Sequence, residues 1–188
     1  HEALCRDFGC VASNAPITVG WAQDDRDSYL NPNSGSFKRL NSELGLMGDA
    51  HYIKTGGQYQ KYVPLSKQYT FAFNLDLGLG KGLQGQTLPF YKNYFSGGLG
   101  SVRGFEVGTL GPRDITGPVI GGAKKVNFNT EFLMPFPGAG NDRSLRLYGF
   151  YDMGNVYAES EKMDLSQLRS SAGVGLSWVS PMGPLRFA

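Results

Sequence analysis

Regular alternation of apolar with small or polar residues is the feature of this chain that most constrains its fold. Between Thr70 and Gly80, one set of alternate positions is entirely apolar, and the other carries only Thr, Ala, Asn, Asp and Gly. Side chains that alternate with a period of two lie on opposite faces of a β-strand. The segment therefore predicts a strand whose apolar face carries Phe71, Phe73, Leu75, Leu77 and Leu79.

The same alternation recurs along the chain and predicts about eight strands in all. The further segments are 125–134 and 171–179, which alternate clearly, and 16–23, 36–46, 51–63, 144–157 and 184–188, which alternate less well. Most connectors are short and contain Pro, Gly, Asn or Ser, as turns do. The sequence therefore predicts an antiparallel sheet whose strands mostly follow one another in chain order.

The composition excludes several other classes of protein. Glycine contributes 27 of the 188 residues, roughly twice its average share, and with proline it interrupts nearly every window long enough for a helical domain. No apolar run approaches the roughly 18 residues of a transmembrane helix. A net charge of +2 without a stripe of Lys or Arg argues against a nucleic-acid surface. An apolar fraction of 40% is too high for a disordered chain.

The residues on the second face distinguish two all-β architectures. A soluble sandwich buries its apolar faces and presents charged residues to water. Here the second face carries mainly Gly, Ser, Asn and Ala, which is typical of a transmembrane β-barrel with apolar residues toward lipid and small or polar residues toward a wet lumen. Aromatic residues near the strand ends would form its interface girdles: Trp21, Tyr62, Tyr69, Tyr157 and Trp178. The barrel is favoured, and a soluble β-sandwich binding module is the alternative.

One connector, from about Lys81 to Gly122, is much longer than the others and rich in glycine. A loop of this length in a compact domain is uncommon unless it is functional. Residues 80–85 match the glycine spacing of a dinucleotide-binding turn, but no amphipathic helix follows that would bind pyrophosphate. The segment therefore predicts a long loop and no nucleotide cofactor.

The residues that could support catalysis or metal binding are few. Cys5 and Cys10 lie in an N-terminal segment, 1–15, that precedes the predicted sheet, and His1 and His51 are the only histidines. A small disulfide loop in an oxidising compartment is favoured for the cysteines, and free thiols are the alternative. No metal-ligand set and no catalytic nucleophile motif is present. The sequence therefore predicts a protein that is not an enzyme and holds neither a metal nor another cofactor.

Within the long loop, the tetrapeptide Val102-Arg103-Gly104-Phe105 places one cation among apolar and small residues. Glu131 and Asp152 lie on the two predicted strands that follow, at positions expected to face the lumen. If the loop folds into a barrel, Arg103 is expected to pair with one or both carboxylates. The strand at 144–157 is less regular, because Phe150 shares the parity of Asp152. An exposed loop with an incidental arginine is the alternative.

Several segments share the sequence pattern of one known family. They are the VRGF tetrapeptide at 102–105, its approach at 88–98, the strand segments 130–135, 150–156 and 171–178, the segment 180–185, and the turn with Asp25-Arg26-Asp27, Asn31-Pro32 and Gly35. In combination they resemble the BamA-type outer-membrane protein assembly factors. The wider superfamily includes TamA, two-partner secretion transporters and organelle homologues. The similarity runs from about residue 16 to the end.

The resemblance implies a sixteen-stranded barrel with periplasmic POTRA domains in the outer membrane of a Gram-negative bacterium. It also implies that the loop enters the lumen and is held there by a set of residues that we call the loop lock. These are Val102, Arg103, Gly104, Phe105, Glu131 and Asp152. The implied partners are outer-membrane lipid, unfolded outer-membrane proteins as clients, and the lipoproteins of an assembly complex. A related translocation pore, such as TamA or a two-partner secretion transporter, and a passive porin are the alternatives.

The chain is expected to be an incomplete piece of that barrel, spanning roughly the eighth strand to the start of the fifteenth. It opens on His1 and closes within the predicted strand at 184–188. The family inserts its clients between the first and last strands, which would both be missing, so the piece alone is not expected to insert clients. Its two free sheet edges are expected to close on each other or to pair with a second copy.

Overall fold

Strands dominate the computed structural model, which describes residues 14–114, 117–138 and 144–188. They are β1 (Asn14–Asp24), β2 (Gly35–Gly48), β3 (Tyr52–Pro64), β4 (Thr70–Gly82), β5 (Lys124–Pro135), β6 (Leu145–Tyr157), β7 (Arg169–Ser180) and β8 (Gly183–Phe187). Each strand pairs with its neighbours in sequence, and every pairing is antiparallel. The predicted all-β fold is therefore confirmed. The predicted disulfide between Cys5 and Cys10 lies outside the described residues.

The sheet is open in the part of the chain that the structure describes. β1 and β8 form its two edges, and no ladder joins them there. Of the two arrangements expected for the free edges, closure of this chain on itself is thus not the one observed. No helix within the described ranges has the length and apolarity needed to cross a membrane.

The alternation along the strands separates an apolar face from a face that carries the long loop. On the apolar face, Trp21, Leu79 and Val174 are all at least half exposed. On the other face, a Cβ added at Gly78 would touch Tyr94 of the loop, and one added at Gly154 would touch Val102. The loop thus lies against the small and polar face, which is the lumen face of a barrel.

The long connector runs from residue 83 to residue 123, slightly displaced from the predicted 81–122, because β4 continues to Gly82 and β5 begins at Lys124. Two bridges, Tyr94–Gly122 and Ser96–Leu110, pair its outgoing and returning arms. Its base is fixed by Glu159 of the β6–β7 connector, whose carboxylate accepts hydrogen bonds from the backbone N–H groups of Gly82 and Leu88 at 3.0 and 2.8 Å. The loop is therefore an arm with defined anchoring at its base.

Candidate functional site

The tip of the long loop is a tight turn that directs Arg103 toward the sheet. The backbone N–H of Gly98 donates to the carbonyl of Val102 at 3.1 Å, and that of Gly97 donates to the Ser101 hydroxyl at 2.8 Å. Gly97 and Gly98 have φ values of +112° and +93°, a region that L side chains rarely adopt. The glycines of this segment therefore allow the turn that precedes the arginine.

Arg103 forms hydrogen bonds with carboxylates from two neighbouring strands. Its Nε and Nη2 donate to the two oxygens of Asp152 on β6, each at 2.6 Å, and its backbone N–H donates to Asp152 Oδ2 at 3.0 Å. Its Nη1 donates to Glu131 on β5 at 2.6 Å. The Asp152 side chain is fully buried, and that of Arg103 is only 6% exposed. This is the forked geometry that makes arginine–carboxylate pairs directional.

Two aromatic rings cover the guanidinium of Arg103. Its Cζ lies 4.0 Å from the ring centroid of Phe150 and 5.5 Å from that of Tyr148, within the range of cation–π attraction. Both rings lie on the same face of β6 as Asp152, and glycines on β7 leave room for them. A Cβ on Gly173 would lie 2.7 Å from the Phe150 ring, and one on Gly175 would lie 2.4 Å from the Tyr148 ring. The irregular parity of Phe150 is thus explained by its packing on the arginine.

A second arginine completes a charge-balanced cluster. Arg186 on β8 donates from Nη2 to the other oxygen of Glu131 at 2.7 Å, and its guanidinium lies 4.5 Å from the Tyr148 ring centroid. Two guanidinium groups therefore face two carboxylates. Burial disfavours the charge on Arg103, but the hydrogen bond to Asp152 and the charges of Glu131 and Asp152 outweigh it and hold the pKa of this arginine above its usual value.

The sequence and the fold of this chain are both similar to those of known proteins. A family model described as the Omp85 superfamily domain matches residues 12–188. The chain belongs to the Omp85 superfamily.

Two curated relatives are the outer membrane protein assembly factor BamA of Neisseria meningitidis and the sorting and assembly machinery component 50 homolog of Mus musculus. The first is 37% identical over 203 residues, covering 91% of this chain and 25% of that protein. The second is 27% identical over 205 residues, covering 93% and 43%. The crystal structure of Haemophilus ducreyi BamA lacking POTRA domains 1–3 superimposes with a TM-score of 0.83 at 29% identity, over 92% of this chain and 37% of that one. This Omp85 chain thus spans a quarter of the Neisseria protein, and the predicted resemblance to BamA-type proteins is confirmed.

The remaining residues of the VRGF tetrapeptide have different surroundings in this Omp85 chain. Val102 is completely buried, and it packs where Gly154 lacks a side chain, since a Cβ there would lie 2.6 Å from Val102 Cγ2. Gly104 has a φ of +80°, and a Cβ there would lie 3.5 Å from Ser171. Phe105 is half-buried and lines a separate cleft with Leu110 and Tyr157. The structure therefore brings Val102 and Arg103 onto the β5–β6 wall, whereas Phe105 packs elsewhere.

A row of side-chain amides that the sequence patterns did not predict as part of the site also contacts the loop. Gln58 donates to Asn74 at 3.1 Å, Asn74 donates to Asn129 at 2.9 Å, and Asn129 donates to the backbone carbonyl of Ser101. These amides lie on β3, β4 and β5 and lead to the residue two positions before Arg103. In the sequence, these amides lie on the alternate positions of their strands that carry small or polar residues.

The polar groups of this arrangement are bound to one another. The acceptors of Asp152 are directed at Arg103, and Glu131 is shared by Arg103 and Arg186. No group of three or more His, Cys, Asp or Glu side chains within the described ranges could hold a metal ion. The site thus joins the tip of the loop to β5 and β6 through ion pairs and hydrogen bonds.

Proposed function

We propose that this chain is part of the barrel of a BamA-type outer-membrane protein assembly factor, acting without catalysis or a cofactor in the outer membrane of a Gram-negative bacterium. The bacterial relatives support this assignment, since identity is 37% to the Neisseria BamA and 32% to that of Nitratidesulfovibrio vulgaris, against 27% to the mouse protein. The apolar outer face of the sheet supports outer-membrane lipid as one partner. Unfolded outer-membrane proteins are the proposed clients, and assembly-complex lipoproteins the proposed accessory partners.

The contact between Arg103 and the two carboxylates is the observation that carries the proposal. We assign it the role of the loop lock, because three guanidinium nitrogens and one backbone N–H hold the tip of the loop to β5 and β6. A passive porin would need an open lumen. Here the loop lies against the lumen face of the sheet, and its arginine is bound to β5 and β6. The proposed role of the lock is to keep this wall in one shape while clients are inserted elsewhere in the barrel.

Substitution of Arg103 in the complete protein that carries these residues tests this function. Arg103→Ala and Arg103→Glu should lower the amount of folded porin and slow growth, and reversal of Glu131 or Asp152 to a basic residue should partly rescue Arg103→Glu. Arg113→Ala is the matched control, because Arg113 lies in the same loop and, among the described residues, its side chain donates to the nearby carbonyl of Gly117 at 3.2 Å. Normal porin levels with both Arg103 variants would favour a translocation pore or porin instead.

The free edges of the sheet lead to a separate proposal about the isolated chain. The outer sides of β1 and β8 have no ladder partner in the described part of the chain, and such edges are templates for pairing. The isolated chain is therefore proposed to associate with a second copy through these edges. Size-exclusion chromatography with light scattering in detergent should show a dimer or larger species, and a clean monomer would exclude this proposal.

A further inference from the structure

A second contact between loop and sheet lies on β2–β4, away from Arg103. Lys92, in the outgoing arm of the loop, places its Nζ 2.5 Å from Glu43 Oε1 on β2. The same carboxylate oxygen accepts a hydrogen bond from the Tyr52 hydroxyl, and Lys54 Nζ donates to the backbone carbonyl of Lys92 at 2.6 Å. Both the side chain and the backbone of Lys92 are thus bound to the wall. We call this set, together with Tyr94, the lysine contact.

Tyr94 is held in a slot two residues further along the arm. A Cβ at Gly78 would lie 2.7 Å from its ring, and its hydroxyl donates to the carbonyl of Thr55 at 2.9 Å. Lys54 Nζ lies 4.2 Å and Lys125 Nζ 5.4 Å from the ring centroid. Tyr94 is therefore held by cation–π contacts with two lysines and by a hydrogen bond from its hydroxyl to a carbonyl. Gly78 leaves the space that its ring fills.

The geometry of the arm connects this contact with the loop tip. Tyr94 pairs with Gly122, and Ser96 pairs with Leu110, so both arms of the loop are joined just beyond the lysine contact. Ser96 is buried, and its hydroxyl donates to Asn127 of β5 at 2.7 Å. Fixing Lys92 and Tyr94 therefore fixes where the joined arms cross the sheet and how far the tip reaches.

We infer that the lysine contact is a second docking site for the long loop, which positions the arm so that Arg103 meets its carboxylates. Lys92, Glu43 and Tyr94 are positioning residues in this scheme. It shares no residue with the loop lock, and its ion pair joins Lys92 of the arm to Glu43 of β2. Its importance for assembly rests on the proposed function, whereas its effect on loop position does not.

The test measures loop position directly, in purified, folded, full-length protein in detergent. The reporter is Ser96→Cys, in a background where Cys5 and Cys10 are serine, and the readout is the rate of maleimide labelling. Lys92→Glu and Glu43→Lys should each raise the labelling rate roughly fivefold, as expected for loss of a partly buried ion pair. The double exchange, Lys92→Glu with Glu43→Lys, should return the rate to within about twofold of the parent.

Lys81→Glu is the matched control, because Lys81 is an exposed lysine beside the same loop with no ion pair among the described residues. Only protein that migrates as the folded, heat-modifiable form is scored, and Lys92→Gln with Glu43→Gln supplies a milder pair if the reversals do not fold. Labelling of Lys92→Glu at the rate of Lys81→Glu, or a double exchange no slower than the single variants, would overturn the inference. Faster labelling with normal porin assembly would support the second docking site and contradict the proposed function of the lock.

Discussion

At the tip of the long loop, Arg103 gives three side-chain nitrogens to two carboxylates, whereas near its base Lys92 meets the single carboxylate of Glu43. The Arg103 side chain is 6% exposed, and that of Lys92 is 24% exposed. A guanidinium has a rigid, planar set of donors, while an ammonium is a point charge on a flexible stem. The tip contact is therefore proposed to fix both the orientation and the position of the loop, and the base contact mainly its position.

The two regions nevertheless share one feature, a strand glycine that leaves room for a side chain of the loop. Each has a glycine at the point where an apolar or aromatic loop side chain meets a strand: Gly154 beneath Val102, and Gly78 beneath Tyr94. The difference lies in what surrounds them. At Gly154 the nearby atoms include the backbone carbonyl of Val126, which cannot move away easily, whereas at Gly78 the three nearest atoms all belong to the Tyr94 ring. We therefore expect substitutions at the tip to cost more than those at the base.

The largest effect is expected from Arg103→Ala, which leaves Asp152 buried without its cation. The free energy of unfolding should fall by about 3–5 kcal/mol, the usual cost of breaking a buried ion pair from one side. Arg103→Lys should fall between the parent and Arg103→Ala, because it keeps the charge but loses the fork. Denaturant unfolding of the refolded full-length protein measures both, with Arg113→Ala as the control. Equal stability of Arg103→Ala and Arg113→Ala would show that the tip contact contributes nothing to stability.

A smaller loss is expected from Gly154→Ala. The added Cβ would lie 2.3 Å from Asn127 Oδ1 and 2.6 Å from Val102 Cγ2, and overpacking of this kind costs about 1–3 kcal/mol. Gly149→Ala, on the same strand with open space around its Cβ, should be neutral or slightly stabilising. Unfolding midpoints in the same denaturant series compare the two. If both alanines behave alike, the packing of Val102 against β6 contributes nothing.

At the base, Gly78→Ala should cost about 1 kcal/mol, at the low end for overpacking because the ring of Tyr94 belongs to a loop that can shift. The cost should largely disappear in a Tyr94→Leu background, since the added Cβ then meets no ring. A double-mutant cycle of unfolding free energies measures this coupling. Additive effects of Gly78→Ala and Tyr94→Leu would show that the slot does not hold the tyrosine.

The smallest effect is expected in the turn between β1 and β2, which touches neither contact. Although partial burial opposes ionisation, backbone N–H groups of Asn33 and Ser34 hold the pKa of Asp27 below its usual value. A carboxyl with a lowered folded-state pKa stabilises the fold above its unfolded pKa of about 3.9, and this contribution is lost as the pH falls through the folded-state pKa. The unfolding midpoint of the parent should therefore fall slightly more than that of Asp27→Asn as the pH is lowered below about 4. Parallel pH profiles would contradict this role.

The alternation in the sequence predicted the sheet because each strand segment shows the two-residue period, even segments such as 36–46 in which the alternation is less regular. Parity also placed Glu131 and Asp152 on one face, and the structure brings both to Arg103. Their role as a lock stays a prediction. Parity did not reveal the partner of Lys92, because the path of a loop across a sheet is set by contacts distant in sequence. For the same reason Arg186, on the last strand, gave no sign that it would share Glu131.

Arg103 is proposed to hold the long loop against the β5–β6 wall, and cysteine accessibility tests this contact most directly. With Ser96→Cys as reporter in purified, folded protein, maleimide labelling should be slow in the parent and in Arg113→Ala. It should be clearly faster in Arg103→Ala than in Lys92→Glu, because the tip contact is the stronger of the two. Labelling of Arg103→Ala that is as slow as that of Arg113→Ala would contradict the account.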